Sequence, residues 1–154
     1  MKKLFLALML VLGFGLNVFA SNNTPESVIL GFATAIQNED FEKAKNFLNK
    51  PSFIKPIHIF KPHLGTKNTL ETEIQGFYRH LTNSGSDYKT FNNVKDWNFK
   101  VEKDTNGINN YSLLMINPNF DQRWTSLVSG TKYDSSKNFE LIKINNEWKI
   151  KGWI

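Results

Sequence analysis

The sequence predicts an α+β domain: about three N-terminal helices packed in a strongly curved antiparallel sheet of four to six strands. Two observations carry this. Up to residue 81 the apolar residues recur at helical spacing, as at Ile29, Phe32, Ala33 and Ile36, the pattern of a helix with one buried face. From residue 97 the period falls to two, with Trp97, Phe99 and Val101 alternating with Asn98, Lys100 and Glu102, the pattern of a half-buried strand. Helices grouped ahead of turn-linked strands make the α+β arrangement.

Residues 1–20 stand apart from this fold. Lys2 and Lys3 precede the apolar run "LFLALMLVLGFGL", and Val18-Phe19-Ala20 precede Ser21. That is the layout of a secretory signal peptide cleaved between Ala20 and Ser21. The run is shorter than the roughly 20 apolar residues of a membrane span. The expected product is periplasmic or secreted, has no membrane span after cleavage, and forms one domain over residues 21–154. With no Cys in the chain, thiol catalysis, cysteine zinc sites and iron–sulfur clusters are excluded, as is a lipid anchor on a cysteine at position 21.

The helices follow in order. Thr24 is a good N-cap and Pro25 suits the first helical position, where a missing N–H costs nothing. "NED" (Asn38–Asp40) breaks that helix, and Asp40 can cap a second one carrying Phe41, Ala44, Phe47 and Leu48 inward, with Pro51 as its terminator. Residues 50–66 hold Lys-Pro three times between apolar residues and read as an extended connection packed on the domain. A third helix is expected from about Asn68 to Leu81, with Asn68 and Glu71 as a capping pair and Leu70, Ile74, Phe77 and Leu81 as its buried stripe.

Four turns punctuate the strands. "DTNG" (Asp104–Gly107) is a hairpin signal. "YSLLMI" (Tyr111–Ile116) is apolar on both faces, as a central strand is. "NPN" (Asn117–Asn119) turns again, "RWTSLVSGTKY" (Arg123–Tyr133) reads as a third strand, and "DSSKN" (Asp134–Asn138) as another turn. The final hairpin "FELIKINNEWKIKGWI" admits two loops. A three-residue Asn-Asn-Glu loop sets Ile144 beside Trp148 and Ile142 beside Ile150, segregating apolar from charged residues, and is preferred to a two-residue Asn145-Asn146 loop.

Two stretches resemble a known family. "TPESVILGFATAIQNEDFEKAKNFL" is similar to the first two helices of the nuclear-transport-factor-2-like superfamily, and "FELIKINNEWKIKGWI" resembles its last hairpin. Together they span 41 of the 134 residues after the leader. The resemblance implies a cone, a bent sheet wrapped around helices, whose wide end often opens into an apolar pocket. It implies either an isomerase- or dehydratase-like enzyme or a module that only binds ligands or partners, and fold does not choose between them.

The charge and motif content narrows the field. Without Lys2 and Lys3 the chain has 17 Lys and Arg against 14 Asp and Glu, and the two Arg, Arg79 and Arg123, are far apart. No basic cluster marks a nucleic-acid surface, so no nucleic-acid partner is expected. His58 and His63 lie five apart in a Pro-broken stretch and lack metal-ligand spacing, so no metal and no cofactor is expected. No Ser sits in a G-x-S-x-G setting, and "SGS" and "SGT" are too short to cradle phosphate. His80, beside Tyr78, is the candidate general base should the chain be an enzyme, with the Tyr78 hydroxyl as oxyanion donor. The leading expectation is a non-enzymatic binding or accessory module holding a small apolar ligand, with Phe32, Phe77, Trp97 and Trp124 lining the pocket. A homodimer or protein partner on the sheet face is the other.

Overall fold

The computed structural model describes residues 23–53, 70–83, 94–119 and 122–153, leaving aside the side chains of residues 80–83 and 94. Helix α1 (Pro25–Gln37) begins as its chemistry dictates. The Ser27 amide donates to Thr24 Oγ1 (3.2 Å) and the Thr24 amide to Ser27 Oγ (3.0 Å), a reciprocal cap for two donors that a helix start otherwise leaves unpaired. Its buried face is Val28, Ile29, Phe32, Ala33, Ala35 and Ile36. Glu39 then takes a φ of 59°, and Asp40 caps α2 (Phe41–Lys45) by accepting from the Lys43 amide at 3.1 Å. A Cβ at Gly31 would fall 2.6 Å from the Phe47 ring, so glycine there lets that ring lie against α1.

The second helix is shorter than its apolar spacing implies. It ends at Lys45, and Pro51, expected to terminate it, sits in a separate one-turn helix, α3 (Lys50–Phe53). The chain between them leaves the helix to pair with a strand. The Asn49 amide donates to the Ile150 carbonyl (2.7 Å) and the Ile150 amide to that of Phe47 (2.8 Å). Sheet-edge hydrogen bonds replace the ones another helical turn would have made. The remainder of the Lys-Pro stretch and Asn68 lie outside the described residues. Helix α4 (Leu70–Asn83) buries Ile74 and Phe77 as its spacing predicts.

Among the described residues six strands follow: β1 (Asn98–Lys103), β2 (Asn110–Ile116), β3 (Trp124–Thr125), β4 (Lys132–Tyr133), β5 (Ser135–Ile144) and β6 (Glu147–Trp153). The main sheet is antiparallel in the order β1-β2-β5-β6, and β3-β4 is a separate two-stranded hairpin. Together with the helices this is the α+β architecture that the change of period predicts. On the helix side, Phe99, Val101, Tyr111, Leu113, Met115, Phe139, Leu141 and Ile150 meet α1 and α4. β2 is central and buried on both faces, because Leu114, on the far side, is buried too.

Two strand boundaries depart from expectation. Residues 123–133 do not form a third strand of the main sheet but fold as the β3-β4 hairpin over its outer face. "DSSKN", read as a turn, is instead bend Asp134 followed by the first residues of β5. The polar run still pairs along its length with β2, Ser135 to Asn138 facing Met115, Leu114, Leu113 and Ser112, and the Ser112 hydroxyl donates to Asn138 Oδ1 at 2.9 Å.

The last hairpin also corrects the preferred register. Asn145 and Asn146 have φ of 48° and 69° and make the two-residue loop, so Ile144 faces Glu147 and Lys143 faces Trp148. Two consecutive positive φ values define a type I′ turn, which matches the twist of the flanking strands. The apolar pairing is recovered further along. An irregularity between Glu140 and Leu141, with Lys151 as the extra residue, pairs Leu141 with Ile150 and Phe139 with Trp153. The cost is a 37% exposed Ile144, and Lys143 lies 5.7 Å over the Trp148 ring. Replacing Asn146 by valine is expected to destabilise the fold by about 1–2 kcal/mol, the cost of a left-handed conformation for a β-branched residue. In urea titrations of both variants, Asn146→Gly should stay within about 0.5 kcal/mol of the parent.

Candidate functional site

The four residues expected to line one pocket divide between two faces of the sheet. Phe32 and Phe77 come together, with ring centroids 5.1 Å apart, but they meet edge to face. Trp153 stacks on Phe32 at 5.7 Å and touches Phe53 at 4.7 Å, and Phe139 lies 6.1 Å from Phe32. These rings pack against one another between the helices and the sheet. Trp97 is buried at the entrance to β1, where the Gln37 side-chain amide donates to its carbonyl at 2.8 Å. Trp124 does not join them. It is 60% exposed on β3, on the opposite side of the sheet.

The catalytic candidates fare similarly. The Tyr78 hydroxyl donates to Glu39 Oε1 at 3.1 Å and its ring meets Phe41 at 5.6 Å. Burial, and then the Glu39 carboxylate, push the phenol above its ordinary pKa. Tyr78 therefore ties α4 to the bend after α1. The backbone of His80 lies in α4, while its side chain, and His58 and His63 altogether, fall outside the described residues. Among the described residues no three metal-binding side chains converge, and no helix is long and apolar enough to cross a membrane.

The unforeseen feature is on the outer face. Glu102 alternates away from Val101 on β1 and should meet water, yet it is only 7% exposed. The β3-β4 hairpin covers it. The Ser126 and Ser129 hydroxyls donate to its two oxygens, and Lys100 Nζ lies 3.4 Å from Oε1. Lys100 also donates to Thr131 Oγ1 at 2.5 Å, and the Ser129 and Thr131 hydroxyls are 2.6 Å apart. Burial pushes the Glu102 carboxyl up, but the two hydroxyls and Lys100 outweigh it and hold the group below its ordinary range. Buried charge is tolerable only when paired and hydrogen-bonded in this way.

This cluster fastens a hairpin and lacks the parts of a serine nucleophile. The amides of Val128 and Ser129 donate to Ser126 Oγ itself, at 3.1 and 3.3 Å, and not to a space where an oxyanion would form. What the fastening achieves is presentation. Leu127 is fully exposed at the hairpin tip, and Val128 is 58% exposed beside it. A hollow of about 330 Å³ separates the tip from the sheet, lined by Glu102, Ser112, Leu114, Leu127, Val128 and Tyr133 among others.

No family model, curated protein or solved structure matches the chain. The site therefore rests on its own chemistry. A second hollow, of about 680 Å³, lies where α2 and α3 meet the β5-β6 turn, with Lys45, Lys50 and Lys149 on its wall. Two of these lysines are already engaged: Lys45 with Glu42 and Glu71, both at 2.6 Å, and Lys149 with the Asn46 carbonyl at 2.8 Å. The outer-face hairpin had one signal in the sequence. Thr125, Ser126, Ser129 and Thr131 crowd hydroxyls around Leu127-Val128, without the strict alternation a strand of the main sheet would show.

Proposed function

We propose that the chain is an exported, non-enzymatic binding or accessory module of the nuclear-transport-factor-2-like kind, and that it docks through the β3-β4 hairpin over the outer face of its sheet. One observation carries this reading. The aromatic side chains that could have walled a ligand pocket pack on each other, while Trp124, Leu127 and Val128 are exposed on the other side. Apolar side chains grouped on one exposed hairpin are the kind of surface that marks an interaction site. The order of helices and then antiparallel strands agrees with the family resemblance, and the leader-like first twenty residues agree with export.

The test places a photoreactive phenylalanine analogue at Leu127 in cells that export the protein, with Lys43 on α2, across the sheet, as the control position. Illumination is expected to give adducts, to protein or to lipid, at 127 well above those at 43. The mass of the recovered chain should begin at Ser21. Equal yields at the two positions would remove the hairpin as a docking surface.

A further inference from the structure

We infer that Asn106 is a site of spontaneous modification in the folded protein: the Gly107 backbone nitrogen attacks its side-chain amide and converts it, through a succinimide, to aspartate and isoaspartate.

The motif does not serve the turn that its sequence suggests. Asn106-Gly107 is the one Asn-Gly pair in the chain, and such a pair marks a two-residue hairpin turn with positive φ at both positions. Here neither residue has a positive φ. The connection between β1 and β2 is longer, and it closes where the Asp104 amide donates to the Asn110 carbonyl at 2.9 Å. The Asp104 carboxylate accepts from the Asn106 main-chain amide at 2.8 Å, a local turn that holds the backbone of residue 106 while residue 106 itself is exposed. Glycine follows it for a packing reason, since a Cβ at Gly107 would fall 2.7 Å from Asn110 Cγ.

That arrangement leaves both reacting groups available. Among the described residues no hydrogen bond holds the Asn106 side chain or the Gly107 N–H. Glycine also has no side chain to shield its nitrogen, whereas every other asparagine is followed by a residue that has one. In the first step the Gly107 nitrogen gives its proton to water or hydroxide and bonds to Asn106 Cγ. The Cγ–Nδ2 bond breaks, and Nδ2 takes up a proton and leaves as ammonia. The five-membered imide then adds one water. Opening at Cγ gives aspartate. Opening at the main-chain carbonyl carbon gives isoaspartate, with the backbone now routed through Cβ and Cγ. Water enters, ammonia leaves, and no electrons are transferred. Either product adds a negative charge close to Asp104, and isoaspartate also lengthens the connection between β1 and β2 by one carbon. Covalent changes of this kind alter charge and backbone without any change of sequence.

The test incubates the full folded chain at mildly alkaline pH, and in parallel in urea that unfolds it, and follows both by peptide mapping. The peptide holding Asn106 should gain one oxygen for one NH, with isoaspartate told from aspartate by its backbone fragments. The folded rate should lie within about tenfold of the unfolded rate, a barrier difference of at most about 1.4 kcal/mol. Asn145 and Asn146, also in a tight turn but without a following glycine, should stay unchanged over the same time. Asn106→Gln, which the φ at this position allows without strain, should abolish the mass gain and leave the circular dichroism spectrum as it was. A folded rate more than about tenfold below the unfolded one overturns the inference, because the turn would then hold the two groups apart. A mass gain that persists in Asn106→Gln overturns it as well, since the reacting amide would lie elsewhere.

Discussion

Phe32→Ala is expected to cost about 3–5 kcal/mol, the range for truncating a buried phenylalanine. Against the about 5–15 kcal/mol by which folded proteins are typically stable, that is enough to leave a large unfolded fraction in mild urea. Phe32 is fully buried at the middle of α1, and its ring is where three elements converge: Phe77 from α4, Phe139 from β5 and Trp153 from β6. Such edge-to-face and stacked pairs add about 0.5–1.5 kcal/mol each beyond the area they bury. The cavity left by alanine would be walled by rings pinned from several sides, so the site cannot collapse to fill it. Trp124→Ala removes a larger side chain from β3, yet it should change stability by no more than about 0.5 kcal/mol. Urea midpoints of the two variants, read by circular dichroism, separate the packed aromatics from the presented one. Similar losses would mean that the hairpin belongs to the core, and a small loss at Phe32 would mean that the interior has room for a ligand.

Much of this was legible because it depends on short-range chemistry. Thr24, Pro25 and Asp40 act where local capping rules place them, and the inward stripe of α1, with Ile74 and Phe77 of α4, follows from spacing alone, the Leu81 side chain lying outside the described residues. What was not legible depends on contacts between distant residues. The end of α2 is decided by Ile150, about a hundred positions away, whose amide and carbonyl pair with Phe47 and Asn49. The register of the last hairpin looked settled by segregating apolar from charged residues. It is settled instead by two asparagines that accept positive φ, with an extra residue at Lys151 restoring the apolar pairing. Trp124 shows the same limit at the site. An aromatic in a mixed run reads equally well as pocket lining or as exposed, and the hairpin's place on the outer face decides.

Glu102→Gln is expected to remove a pH-dependent part of the hairpin's stability, and its sign can be worked out. The folded-state carboxyl titrates below its ordinary value of about 4.5. Between the folded and unfolded pKa values the unfolded chain binds more protons, so stability rises with pH there. The contribution is complete above about pH 4.5 and is lost as pH falls through the lower, folded value. Glutamine keeps oxygen and nitrogen in the same space but cannot accept from Ser126 and Ser129 at both ends, nor balance Lys100. At pH 7 the substitution should cost about 1–3 kcal/mol, the range for charged hydrogen-bonding groups left poorly paired in a buried place. The loss should fall first on the hairpin. Amide exchange at Gly130, whose N–H donates to the Ser126 carbonyl, and at Ser126, whose N–H donates to that of Thr131, should quicken more than exchange at Leu113 or Leu141 in the main sheet. Below the folded pKa the parent should behave like the variant, because protonated Glu102 has the same deficit. If the variant and the parent keep equal hairpin protection at pH 7, the carboxylate is not what holds Leu127 and Val128 out from the sheet. The hairpin's position would then rest on its contacts with β2, where Leu114 is buried.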